Sequence, residues 1–91
     1  MYYVYMLRCK DSSLYTGITN DIEKRVKKHN SGKASRYTRA RLPVKMVYLE
    51  QCENKSAALR REIEIKRYTK SEKERLLGVA GLKEDPNIGS S

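Results

Sequence analysis

Apolar and aromatic residues open the chain in an almost unbroken run. Residues 2–8, Tyr-Tyr-Val-Tyr-Met-Leu-Arg, read as a β-strand. Lys10, Asp11, Ser12 and Ser13 supply turn chemistry, and residues 14–18 read as the returning strand of a hairpin. The spacing then becomes helical. Asn20 followed by Glu23 has the form of a capping box, with Asn in place of the usual Ser or Thr. The helix it opens runs to His29 or Asn30, and Gly32 stops it. Residues 33–42 are basic and irregular. Pro43 precedes a third strand over 44–50, where Val44, Met46 and Tyr48 alternate with Lys45, Val47 and Leu49. A second helix is expected over 56–67. Ser71 with Glu74 has capping-box spacing for a last helix, running to Leu77 and ended by Gly78.

The expected order is therefore strand, strand, helix, basic loop, strand, helix, helix. Hairpin strands pair antiparallel. With the third strand joining them and helices covering the sheet, the fold class is a small α/β sandwich of the α+β kind. It has a three-stranded antiparallel sheet flanked by about three helices. Ninety-one residues make a single domain. It is expected over residues 1–80, with 81–91 a loose, flexible tail of Pro, Gly and Ser character.

Composition adds a partner to this outline. Twenty Lys and Arg stand against eleven Asp and Glu, a net charge of +9. Such an excess attracts polyanions through counterion release, whatever their sequence. A solvated basic surface with no specific partner accounts for the same charge. No segment joins a large apolar face to a basic one, so a membrane surface is not the expected partner. No apolar run is long enough to span a bilayer. The first residues already read as a strand, so no secretory signal is expected. The two cysteines, Cys9 and Cys52, fit no zinc spacing, and so small a number suits a reducing compartment. Together these point to the cytoplasm, with no obligate protein partner evident. Seven Tyr with no Phe and no Trp suggests that hydroxyls are in use.

Helical geometry places the polar candidates. With Ile22 at zero, His29 lies about 20° away, Val26 about 40° to the other side and Arg25 about 60° off. His29 thus falls on the apolar stripe and Arg25 borders it, an arrangement equally suited to a core histidine and an amphipathic edge arginine. On the second helix the apolar residues are Ala58, Leu59, Ile63 and Ile65, and Glu62 points among them with Lys66 one turn on. That is either an inward-leaning ion pair at i, i+4 or a carboxylate held at a cleft for a hard cation.

The ordered set Tyr3-Val4-Tyr5, Tyr15-Thr16-Gly17, Arg25, His29 and Glu62 resembles the GIY-YIG nuclease superfamily. It is most similar to the small single-domain bacterial proteins of the UPF0213 group, to which Arg36-Tyr37-Thr38-Arg39, Leu42-Pro43-Val44 and the stretch from Arg61 to Lys66 are also similar. The resemblance covers roughly residues 2–77. It implies hydrolysis of nucleic-acid phosphodiesters, DNA foremost, with a single divalent metal, magnesium or manganese. By position it implies Tyr5 as general base, Tyr15 as the second tyrosine, Arg25 as phosphate clamp, His29 as the assisting histidine and Glu62 as metal ligand. Gly17 matches the glycine that allows close backbone approach. Two departures stand out: Tyr3 replaces the first glycine of the family triplet, and Asn87, in the tail, is not matched to the C-terminal asparagine that some members carry at the site.

Two chemical conditions follow. A tyrosine of ordinary pKa, about 10, is a poor base near neutrality, so either nearby cations lower it or His29 accepts from its hydroxyl and passes the proton on. Tyr5 and Tyr15 share a sheet face only if the turn holds an odd number of residues, such as Lys10-Asp11-Ser12, or a bulge shifts the register. The basic stretch, with Lys33, Arg36, Arg39 and Arg41, is expected to track a phosphate backbone, and Tyr37 to stack on a base or pack against the site. Two other readings stand beside the nuclease: a nucleic-acid-binding module indifferent to Glu62, and a small adaptor that docks on an acidic protein.

Overall fold

A computed structural model describes residues 1–79. The expected tail over 81–91, Asn87 included, lies outside the described residues. The elements are β1 (Tyr2–Arg8), β2 (Leu14–Thr19), α1 (Ile22–Asn30), α2 (Arg36–Arg39), β3 (Lys45–Cys52), α3 (Lys55–Lys66) and α4 (Lys70–Val79). The three strands form one antiparallel sheet in the order β2-β1-β3. Four described helices stand where about three were expected, because the basic stretch contains the one-turn α2. That turn is too short for apolar periodicity to reveal.

β1 is the central strand, and both its faces are covered. Val4, Tyr5, Met6 and Leu7 are consequently all buried, which explains the unbroken apolar run. One face carries Val4, Met6, Leu14 and Tyr48 against Ala58 and Ile65 of α3, with Leu76 and Leu77 of α4 packed alongside. The other carries Tyr5, Leu7 and Tyr15 against Ile22 and Val26 of α1. The alternation expected in β3 breaks at Val47. Met6 pairs with Tyr48 but Leu7 with Met46, and the extra residue lets Val47 and Tyr48 both be buried.

Local caps differ from the expected ones in two places. Asp21, not Asn20, caps α1 and accepts from the Lys24 amide. Thr19 sets this start, since its hydroxyl accepts from the Asp21 amide and donates to the Asp21 carbonyl. The last helix is capped two residues earlier than expected, by a reciprocal Thr69 and Glu72 box. Glu74 is not free to cap, because both terminal guanidinium nitrogens of Arg8 donate to it, pinning α4 to the hairpin. α4 also runs through Gly78 to Val79.

The hairpin meets the condition for a shared site. Cys9 and Ser13 pair through a 2.9 Å hydrogen bond, leaving Lys10-Asp11-Ser12 as the turn, with Ser12 in the left-handed region at φ +73°. The register that follows sets Tyr5 opposite Gly17 and Leu7 opposite Tyr15, so Tyr5 and Tyr15 point to one face. Thr16 points to the other. Its buried hydroxyl has no hydrogen-bond partner among the described residues. We expect Thr16→Val, which keeps the shape and removes the orphan hydroxyl, to raise stability by about 1 kcal/mol in urea unfolding.

Candidate active site

The candidate residues come from four elements. β1 and β2 carry Tyr5, Tyr15 and Gly17, α1 carries Arg25 and His29 on the Tyr5 face of the sheet, and α3, packed on the opposite face, carries Glu62. Tyr5 and His29 are both almost fully buried, at 2 % and 1 % exposure. The Tyr5 hydroxyl lies 2.9 Å from Nε2 of His29. On the far side of the imidazole, Nδ1 lies 2.8 Å from Oγ1 of Thr38. The Thr38 hydroxyl in turn bonds to the Ser35 carbonyl at 3.3 Å.

This chain of bonds assigns the protons. A carbonyl can only accept, so Thr38 donates to Ser35 and must accept from Nδ1–H. His29 then presents the lone pair of Nε2 to Tyr5, whose hydroxyl donates. Burial, followed by the positive charge of Arg25, holds the His29 pKa below its usual range, so the ring is neutral near pH 7. Burial pushes the Tyr5 phenol up, aided by Tyr15 and Glu62 and opposed by Arg25. Arg25 alone therefore does not bring the Tyr5 phenol below its usual range. The Nε2 lone pair of His29 stands within hydrogen-bond reach of the Tyr5 hydroxyl.

Gly17 makes the geometry sterically feasible. A Cβ there would sit 2.6 Å from the Tyr5 oxygen and 3.2 Å from the Tyr15 ring. The close approach it permits is that of the Tyr5 phenol. Tyr15 packs edge-on against His29, with centroids 5.1 Å apart, and stacks on Tyr37 at 6.0 Å. The Arg41 guanidinium lies 3.8 Å over the Tyr37 ring, donates to the Tyr37 carbonyl and pairs with Asp11 at 2.9 Å. Tyr37 thus packs against the site between Tyr15 and Arg41, and Arg41 ties the hairpin turn to this stack. Lys33, Arg36 and Arg39 are exposed on the segment leading into and along α2.

Arg25 is half-buried and makes no ion pair among the described residues. It lines a groove of about 230 Å³ together with Thr19, Asn20, Asp21, Lys24 and Lys28. Glu62 has a side chain only 16 % exposed, with Lys66 Nζ at 3.2 Å. Its neighbour Arg61 is clamped by Glu50 and Glu64, which holds this stretch of α3 against β3. Leu59 and Ile63, expected on the buried stripe, are exposed. α3 buries only Ala58 and Ile65, seven residues apart and about 20° from each other, whereas Ile63 lies about 140° from Ala58. No group of three metal-ligating side chains occurs among the described residues. A mostly buried carboxylate with a single ammonium partner fits an ion such as magnesium, which takes one or two protein carboxylates and fills the remainder with water and phosphate oxygens.

Comparison with known proteins assigns the chain to a family. The family model for the GIY-YIG catalytic domain matches residues 1–75. The chain belongs to the GIY-YIG family. A UPF0213 protein of Clostridium perfringens is 53 % identical over 85 residues, covering 93 % of this chain and 91 % of that one. One from Haloquadratum walsbyi is 52 % identical over 75 residues, covering 82 % and 84 %. The solution structure of the UPF0213 protein BH0048 from Bacillus halodurans is similar, with 45 % identity, a TM-score of 0.59 and coverage of 89 % and 87 %. That of EF2693 from E. faecalis has 39 % identity, a TM-score of 0.59 and coverage of 85 % and 82 %. The GIY-YIG domain points to a nuclease family and a nucleic-acid substrate. Among the described residues no helix is long and apolar enough to cross a membrane.

The roles of Thr38 and Ser35 beside His29 are nearly silent in the sequence. The one available signal was Ser35 followed three residues later by Thr38, the spacing of a hydroxyl cap, and Ser35 does cap α2. Thr38 is best described as a positioning residue. Thr38→Val should leave Nδ1–H without an acceptor, shift His29 toward the Nε2–H tautomer seen by ring-nitrogen NMR, and cost about 1–3 kcal/mol. Thr38→Ser should restore the native tautomer.

Proposed function

We propose that this protein is a metal-dependent endonuclease that hydrolyses nucleic-acid phosphodiesters, DNA foremost. The observation that carries the reading is the Tyr5–His29–Thr38 hydrogen-bond chain, proton-ordered toward the Ser35 carbonyl, beside a half-buried Arg25 that has no ion-pair partner among the described residues. Tyr5 takes the proton of the attacking water while passing its own to Nε2 of His29. The imidazolium that forms is disfavoured by burial and by Arg25. A phosphate seated on Arg25 offsets that positive charge and makes His29 a better acceptor at the moment of need. The guanidinium also supplies donors for the charge that develops on the phosphate oxygens. Tyr15 packs against the imidazole and keeps its ring in line. Glu62 would hold a magnesium or manganese ion, which supplies Lewis-acid stabilisation at the phosphate and the leaving oxygen. Lys66, half-exposed on a long stem, releases the carboxylate for that role.

The test is incubation with single-stranded, duplex and branched DNA and RNA, in magnesium or manganese, beside a chelator. Cleavage that stops on chelation is the expected result. Salt-sensitive binding with no cleavage under any of these conditions would assign the chain to a non-catalytic binding role.

A further inference from the structure

The sequence assigns nucleic-acid contacts to Arg25 and the basic segment after α1. The fold adds a second cationic groove that no motif predicts. It has a volume of about 200 Å³ and is lined by Ser13, Leu14, Tyr37, Lys70 and Lys73. It joins the hairpin turn, the aromatic stack of the site and the first turn of α4, three pieces far apart in sequence. The carboxylates nearby are already engaged. Asp11 is held by Arg41, and Glu74, which senses the charge of Lys70, is held by Arg8. Lys70 and Lys73 have no ion-pair partner among the described residues. Tyr37, 37 % exposed, is covered by Tyr15 and Arg41 and turns its remaining surface to this groove.

The position of the groove gives it meaning. β2 is an edge strand, and Leu14, its first residue, lines this groove. Thr19, its last residue, lines the Lys24, Arg25 and Lys28 groove. A strand of six residues spans about 17 Å at about 3.3 Å per step. Tyr15 and Gly17 lie between the two ends. Two cationic grooves thus flank Tyr15 and Gly17 along the β2 edge of the sheet.

We propose that a nucleic-acid strand runs along the β2 edge, its backbone held at one end by Lys24, Arg25 and Lys28 and at the other by Lys70 and Lys73. The inference rests on the nuclease reading and specifies how its substrate lies. A span of about 17 Å is long enough for a strand to place several phosphates between the two grooves. The Lys70–Lys73 groove therefore binds the substrate several nucleotides from the bond that is cut, and contributes to affinity rather than to chemistry.

The experiment measures binding of the full chain to a fluorescent 20-mer DNA, single-stranded and duplex, by anisotropy in chelator across a salt series. Cleavage kinetics are followed separately in magnesium. Lys70→Ala and Lys73→Ala are compared with Lys27→Ala, an equal loss of charge in the groove between α1 and β3. The expected result is a salt slope reduced by about one for each of the first two, with binding weakened about five- to tenfold near 0.1 M salt. KM should rise by a similar factor with kcat unchanged, while Lys27→Ala stays near the parent. Parent-like binding by Lys70→Ala and Lys73→Ala, with the parent itself binding and cutting, overturns this path alone. Absence of any binding or cutting by the parent overturns the nuclease reading and this path with it.

Discussion

Tyr5→Phe is expected to lower the cleavage rate by about 10²–10⁴-fold, the range for loss of a general base. The change removes one oxygen and little volume. It leaves Nε2 of His29 without the donor 2.9 Å away. An unpartnered buried acceptor costs about 1–3 kcal/mol, so unfolding should be measured beside activity to separate lost chemistry from lost fold. The pH profile gives a sharper test. His29 has a pKa held below its usual range by burial and then by Arg25. Once protonated, it cannot accept from Tyr5. The parent rate should therefore fall on acidification, with an apparent pKa below the unperturbed value of about 6.5. In Tyr5→Phe this acid limb should vanish from any residual activity. Stability should move in the same direction. Because the folded pKa is the lower one, the unfolded chain binds more protons between the two values. Folding stability then rises with pH through that window and is lost as pH falls through it. An acid limb that survives unchanged in Tyr5→Phe would separate His29 from the proton path.

Glu62→Gln is expected to reduce cleavage by about 10³-fold or more, since a bound divalent ion stabilises a phosphoryl transition state by several kcal/mol. The substitution keeps the shape of a side chain that is 16 % exposed and removes only its charge. The lost pair with Lys66 is a helix i, i+4 contact with an exposed ammonium and contributes about 0.3–0.5 kcal/mol. Folding should be almost unaffected. A second readout does not depend on catalysis: magnesium or manganese should raise the Tm of the parent progressively with ion concentration, and should leave the variant unmoved. An equal shift in both proteins would place the ion elsewhere.

The sheet was legible because its signals are local. Residues 2–8 form a continuous apolar run, and the run is continuous because β1 is covered on both faces. Lys10-Asp11-Ser12 has the turn chemistry that sets Tyr5 and Tyr15 on one side. Less was legible where tertiary contact overrides a local pattern. Ser71 and Glu74 have capping-box spacing, but Arg8, 66 positions away from Glu74, claims the carboxylate. Leu59 and Ile63 have the spacing of a core stripe, yet α3 buries the face of Ala58 and Ile65 instead. Within the candidate site, each residue named from the family pattern can be found by its own position in the chain. Thr38 cannot, because its role depends on a one-turn helix folding back on the ring of His29. Lys70 and Lys73 are likewise silent in sequence, since nothing local says that α4 begins beside Tyr37.

The hydrogen bond from Thr38 to the Ser35 carbonyl has a consequence for turnover. A carbonyl cannot take up a proton and hand it on, so the wire from Tyr5 through His29 is a cul-de-sac. A proton stored on Nε2 has no exit by way of Nδ1. It can leave only through the Tyr5 oxygen, back toward the cleft where it came from. Under the proposed nuclease mechanism, His29 would be a single-place reservoir that has to empty through the substrate side before another bond is cut. This makes recharging of the site depend on what occupies the cleft after hydrolysis, the departing strand or water.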